Sequence, residues 1–158
     1  MTPANLAFFD LPVFIHSLRQ ERYPTILVHG PPLSGKTRFA RQLASQTGWA
    51  YLDLLSVLST HPSWPATIDQ FDVPALRAFL LERATAVNEV LLIDELDFLF
   101  PLLGDLRPFQ EMVRALTLPT AGLAFAFFVQ SRPEWENWSL LTAGRQSRII
   151  PFQAIKPL

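Results

Sequence analysis

"HGPPLSGKTRFA", residues 29–40, decides the fold. Gly30 is followed at P-loop spacing by Gly35, Lys36 and Thr37. A loop of this kind curls until successive backbone N–H groups point at one anion. Glycine permits the curl and lets phosphate oxygens approach the backbone. The helix that follows turns its positive end toward the same anion. Read this way, Gly30, Pro31, Pro32, Leu33, Ser34, Gly35, Lys36, Thr37 and Arg38 form a cradle for nucleotide phosphates. Lys36 reaches the β- and γ-phosphates, and Thr37 offers its hydroxyl to Mg²⁺. The competing reading is a glycine-proline turn between two core elements, and the flanking sequence discriminates the two.

A strand is expected before the loop and a helix after it. "PTILVHG" (24–30) holds a short β-branched apolar run bounded by Pro24 and Gly30, the pattern of a buried parallel strand. "GKTRFARQLASQTG" (35–48) places Phe39, Ala40, Leu43 and Ala44 on one side of a helix. The rest alternates in the same way. Strands are expected over 49–55, 89–97, 123–133 and 148–152, and helices over 75–88, 108–117 and 134–144. A proline-broken loop covers 59–74. This alternation predicts an α/β fold with a parallel sheet and helices on both faces. Ligands of such sheets sit at the carboxyl ends of the strands. Residues 6–20 carry Phe8, Leu11, Phe14, Ile15 and Leu18 at near-helical spacing, interrupted by Pro12. They read as a covering segment, 1–23, ahead of a core spanning 24–158.

The 158 residues suffice for one domain with a real core. Apolar residues make up 49% and charged residues 17%, which excludes a disordered chain and leaves apolar surface for a partner. The net charge of −1 gives no global field for nucleic acid, so DNA contact rests on a local basic patch that the sequence leaves open. Without cysteine there is no disulfide, thiolate metal site or cysteine nucleophile. The N-terminus lacks the basic and long apolar regions of a signal peptide. The most apolar stretch, 121–129, is too short to span a bilayer as a helix. A soluble, cytoplasmic protein is the expectation, with no membrane partner.

A second site signal lies in "EVLLIDELD" (89–97). A four-residue apolar strand ends directly in Asp94 and Glu95. Asp94 would emerge near the Thr37 hydroxyl, within reach of the Mg²⁺ shell. Glu95 would point at the γ-phosphate side, where a carboxylate can orient and polarise a water. Taken alone, the two acids could equally be a solubilised strand end.

Together these motifs resemble the nucleotide-binding core of the AAA+ ATPases. "GPPLSGKTRFARQLASQTGWAYLDL" is similar to that family's P-loop, helix and second strand, and "LLIDELDFLF" to its Walker B strand. "VQSRPEW" resembles the sensor-1 segment, and "LLTAGRQSRIIPF" the segment before the fifth strand. The resemblance covers roughly residues 24 to 152. It implies a three-layer P-loop NTPase with a five-stranded parallel sheet, order 5-1-4-3-2, here without the family's C-terminal helical lid. A narrower likeness is to the small lidless ATPases of bacteriophage-exclusion (BREX) systems. That implies a bacterial host and a multi-protein, DNA-directed defence complex.

What the resemblance implies for single residues is equally definite. Ser131 stands where the family usually has the sensor-1 asparagine, and its hydroxyl has less reach. Gln130 beside it is an amide that can substitute. Arg145 and Arg148 stand at the two arginine positions that act in trans on the next subunit's γ-phosphate. The implied function is ATP binding and hydrolysis with Mg²⁺ in an ATP-promoted homo-oligomeric ring. Two readings stay open at this point: an ATPase motor or switch, favoured by Lys36, Asp94, Glu95 and the arginines, and a regulatory nucleotide-binding module with slow hydrolysis, favoured by Ser131 and the missing lid. A small-molecule kinase is weaker, because no acceptor pocket or lid arginines are legible.

Overall fold

The computed structural model describes residues 8–60 and 70–158. Its centre is a five-stranded sheet of β1 (Thr25–Gly30), β2 (Ala50–Asp53), β3 (Val90–Asp94), β4 (Ala124–Gln130) and β5 (Ile149–Pro151). Every pairing is parallel and the spatial order is β2-β3-β4-β1-β5, the expected 5-1-4-3-2 read from the other edge.

The central strands are apolar on both faces because each face is covered. Alternate residues divide cleanly between two cores. Leu27, Leu91, Ile93, Phe125, Phe127 and Val129 point into one, and Ile26, Val28, Val90, Leu92, Ala126 and Phe128 into the other. The first core is closed by α3 (Leu54–Ser59), α4 (Val73–Ala84), α5 (Leu99–Leu103), α6 (Arg107–Ala115) and α7 (Pro133–Glu136). Trp135 sits at its centre with Phe100 and Phe109 in tilted and edge-on contact. The second core is closed by α1 (Leu11–Leu18) and α2 (Lys36–Thr47).

Several elements differ from the sequence expectation. The apolar run 49–55 is not one strand. β2 ends at Asp53, whose carboxylate accepts from Ser56 N at 2.9 Å and starts α3. A capping acid can thus convert an apolar run from strand to helix. Pro12 does not interrupt its helix, and Pro74 does not exclude one. Both stand in first turns, behind N-caps Asp10 and Asp72, where a missing N–H costs nothing. The helix expected over 134–144 stops at Glu136, and α5 was not legible. Beyond α7, Leu140 O accepts from Arg148 N at 2.8 Å and Thr142 N donates to Gln146 O at 2.8 Å, so the chain turns back to enter β5. The stripe Leu11, Phe14, Ile15 and Leu18 is consumed in the second core. Part of the 59–74 loop, with Trp64, lies outside the described residues.

Candidate active site

The carboxyl ends of β3, β4 and β1 lie side by side, and the loops leaving them enclose a cleft of about 450 Å³. Residues 32–38, Asp94, Glu95, Asp97 and Gln130 line it. Gly30 ends β1 in a tight place: a Cβ there would stand 3.0 Å from Phe152 Cβ and 3.1 Å from Ser34 Oγ. The loop then passes through the left-handed region twice, at Leu33 (φ 61°) and Gly35 (φ 97°). Leu33 holds that conformation with a fully exposed side chain. α2 opens at Lys36 with Gly35 as its cap and no side chain on its first N–H groups, which leaves them free to take an anion.

Lys36 is buried to 8% exposure. Its ammonium donates to Gly30 O at 2.9 Å, Pro31 O at 2.7 Å and Ser34 Oγ at 3.2 Å, so the charge is held against the loop. Burial lowers its pKa, while Asp97, Asp94 and Glu95 pull the other way. Across the cleft, Thr37 donates to Glu95 Oε1 at 3.1 Å. Glu95 itself adopts φ 58°, a left-handed backbone at a non-glycine residue, and this turn faces its carboxylate toward α2. Such conformations cost about 1–3 kcal/mol and cluster at functional sites. Asp94, one residue earlier, is buried at 4% exposure and accepts from the Tyr51 phenol at 2.7 Å.

The sequence matches the family model described as "ATPase family associated with various cellular activities (AAA)" over residues 26–152. The chain belongs to the AAA family. It is thereby a nucleotide-binding, ATPase-like domain. A comparison with curated proteins finds no match.

In this AAA domain the segment expected to act as sensor 1 starts at the end of β4. Ser131 N donates to Gly30 O at 3.0 Å, tying it to the P-loop strand. Its hydroxyl lies 2.9 Å from His29 Nδ1. Burial lowers the His29 pKa, with Glu136 opposing and Lys36 reinforcing the shift. Gln130 lines the cleft beside it. Arg132 pairs with Glu134 at 3.3 Å and stacks over Phe100.

The two arginines before β5 part company. Arg145 is exposed, in a tight turn at φ 64°. Arg148 is not available as a trans-acting group and the expectation for it is corrected. It is 4% exposed and donates to Thr25 O at 2.9 Å, to Thr25 Oγ1, and to Val113 O at 3.3 Å. Thr25 is the first residue of β1, so Arg148 braces the amino end of the sheet, opposite the P-loop. Burial pushes its pKa down.

One residue lining the cleft, Asp97, and one behind it, Tyr51, went unread in the sequence. Asp97 accepts from Gln130 N at 2.9 Å and faces Lys36; burial raises its pKa. It follows Glu95 by two positions in "DELD" and reads in the sequence as the last residue of the third strand, which in fact ends at Asp94. Tyr51, in β2, gave no signal because its contact is made across strands. A second, more apolar cleft of about 380 Å³ flanks the P-loop, between Phe8, Arg38, Phe39 and Phe152. Among the described residues no helix is long and apolar enough to cross a membrane.

Proposed function

We propose that this AAA domain binds ATP with Mg²⁺ and hydrolyses its terminal phosphate bond. The observation that carries the reading is the convergence of Lys36, Thr37, Asp94 and Glu95 on one cleft, with Thr37 Oγ1 and Glu95 Oε1 already 3.1 Å apart. The donor set fits Mg²⁺, which prefers hard oxygens and takes few of them from the protein. Thr37 and Asp94 would hold the ion, which would neutralise charge on the phosphates. The Thr37 hydroxyl proton is spent on Glu95 and its lone pairs stay free. Residues 30–38 wrap the phosphates, and Lys36 supplies the fixed positive charge. Glu95 orients and deprotonates the attacking water. The cleft beside Phe39 and Phe152 takes the base.

Ser131 serves as the sensor. A His29 tautomer bearing its proton on Nδ1 donates to Ser131 Oγ and frees the Ser131 hydroxyl to donate to phosphate. Arg145 acts in trans within an ATP-promoted homo-oligomer, a ring by analogy with the family. Its turn precedes the edge strand β5 on the side of the sheet away from its own P-loop, so it serves a neighbour's site. The pairing of the two motifs further supports a place in a bacteriophage-exclusion complex with other proteins and DNA. The short reach of Ser131 favours the second reading, a slow ATPase that works as a switch.

Calorimetry with ATP and Mg²⁺ tests the core of the proposal. The wild-type chain binds and Lys36→Ala does not; undiminished affinity in the variant overturns it. Turnover and oligomer mass, measured together with and without DNA, separate motor from switch. Mixing Lys36→Ala with Arg145→Ala chains restores activity if Arg145 crosses the interface.

A further inference from the structure

Asp94 is the most deeply buried carboxylate of the cleft, at 4% exposure. A buried carboxylate needs donors for its lone pairs, and its orientation is whatever those donors impose. Here the donor comes from the neighbouring strand. β2 and β3 pair with Asp53 opposite Asp94 and Tyr51 opposite Leu92. Tyr51 therefore starts two residues short of its target, about 6.6 Å along a strand. The phenol ring spans that gap and puts its hydroxyl 2.7 Å from Asp94 Oδ2. A serine, threonine or asparagine at position 51 would not reach.

The ring is itself fixed. It packs against the second core, and the Arg41 guanidinium of α2 stands 5.4 Å over its face. Arg41 also lies 3.9 Å from Asp53, so α2 and the β2 edge clamp the ring.

We infer that Tyr51 is a positioning residue for the metal site: by holding Oδ2, it leaves Oδ1 of Asp94 as the oxygen presented to Mg²⁺ and its water shell. This rests on the assignment of Asp94 to Mg²⁺ given above and names the residue that sets that ligand's geometry. Groups that orient a metal ligand in this way are worth about 10–100-fold in metal affinity when removed.

The test is the ratio of affinities for a non-hydrolysable ATP analogue in excess Mg²⁺ and in EDTA. In the Tyr51→Phe chain the EDTA affinity stays at the wild-type value and the Mg²⁺-dependent gain falls by about tenfold. Asp94→Ala removes the gain, and adding Tyr51→Phe to it changes nothing further, because the phenol acts through that carboxylate. A merely structural Tyr51 would weaken both arms alike, and that result overturns the inference, as does an unchanged ratio. If the wild-type chain binds the analogue in neither buffer, the nucleotide assignment fails and Tyr51 falls with it.

A second measurement needs no variant. The chain has only two tyrosines, Tyr23 and Tyr51. With 3-fluorotyrosine at both, Mg²⁺ added to the analogue complex shifts the Tyr51 fluorine resonance and leaves Tyr23 in place. No shift at Tyr51 overturns the inference.

Discussion

Arg148→Ala should act on this protein through the stability of its fold and not through catalysis. The side chain is 4% exposed and donates to Thr25 O at 2.9 Å, to Thr25 Oγ1, and more weakly to Val113 O at 3.3 Å. Thr25 is fully buried, so water cannot replace the lost donor without opening the sheet. Hydrogen bonds from charged donors contribute about 1.5–3 kcal/mol each, and the two good ones give about 3–6 kcal/mol. Removing the guanidinium also removes its own cost of burial, visible in its lowered pKa. A net loss of about 2–4 kcal/mol follows. At about 2–4 °C per kcal/mol for a chain of this size, the melting temperature falls by about 5–15 °C. Arg148→Lys falls between, since an ammonium cannot make the forked contact. Arg145→Ala, at an exposed turn, changes stability by less than about 0.5 kcal/mol. Thermal and urea melts of the three variants decide the matter. An Arg148→Ala chain that melts with the wild type but loses ATP turnover would refute the bracing role and restore Arg148 as a trans-acting group.

Other outcomes follow from the cleft. Glu95→Gln keeps nucleotide binding in calorimetry and loses at least about 10²-fold in turnover, as expected when a general base is removed; a wild-type rate would make Glu95 a surface acid. Asp97 has a raised folded pKa, so its stabilising contribution is present below about 3.8 and is lost as pH rises through the folded value. Asp97→Asn keeps an oxygen for Gln130 N and should therefore melt about 1–3 °C higher than wild type at pH 7; a lower melting point contradicts it. His29 has a pKa lowered from 6.5, so the unfolded chain takes its proton more readily and stability drops as pH falls through and below 6.5. His29→Asn should flatten that decline in urea melts between pH 7 and 5, and an unchanged slope would show that the ring is not desolvated.

The loop proposed to cradle phosphates was legible in the sequence because its geometry is local. Glycine spacing, the lysine and the threonine all lie within one strand–loop–helix, and no distant residue alters what that backbone offers an anion. The acids at the end of β3 were legible for the same reason, and so was a parallel sheet, since short apolar strands alternate with helices, while its strand order came from the family resemblance. Asp97 was half legible: its spacing from Glu95 was in view, but Leu96 had to turn inward for Asp97 to reach Gln130 N.

What the chain could not disclose by itself was decided by contacts across strands. "GRQSR" offered two arginines of equal standing, and only the packing of β5 against β1 buries Arg148 on Thr25 while leaving Arg145 in solvent. Tyr51 read as one more apolar-strand residue until register placed it two positions below Asp94. "WAYLDLL" read as one strand because the Asp53 carboxylate's hydrogen bond to Ser56 N competes with continued pairing, and hydrophobicity does not record that competition. Sequence alone marked the groups proposed to hold a nucleotide. Tertiary structure decided which charged side chains face it, because burial and register are properties of residues far apart in the chain.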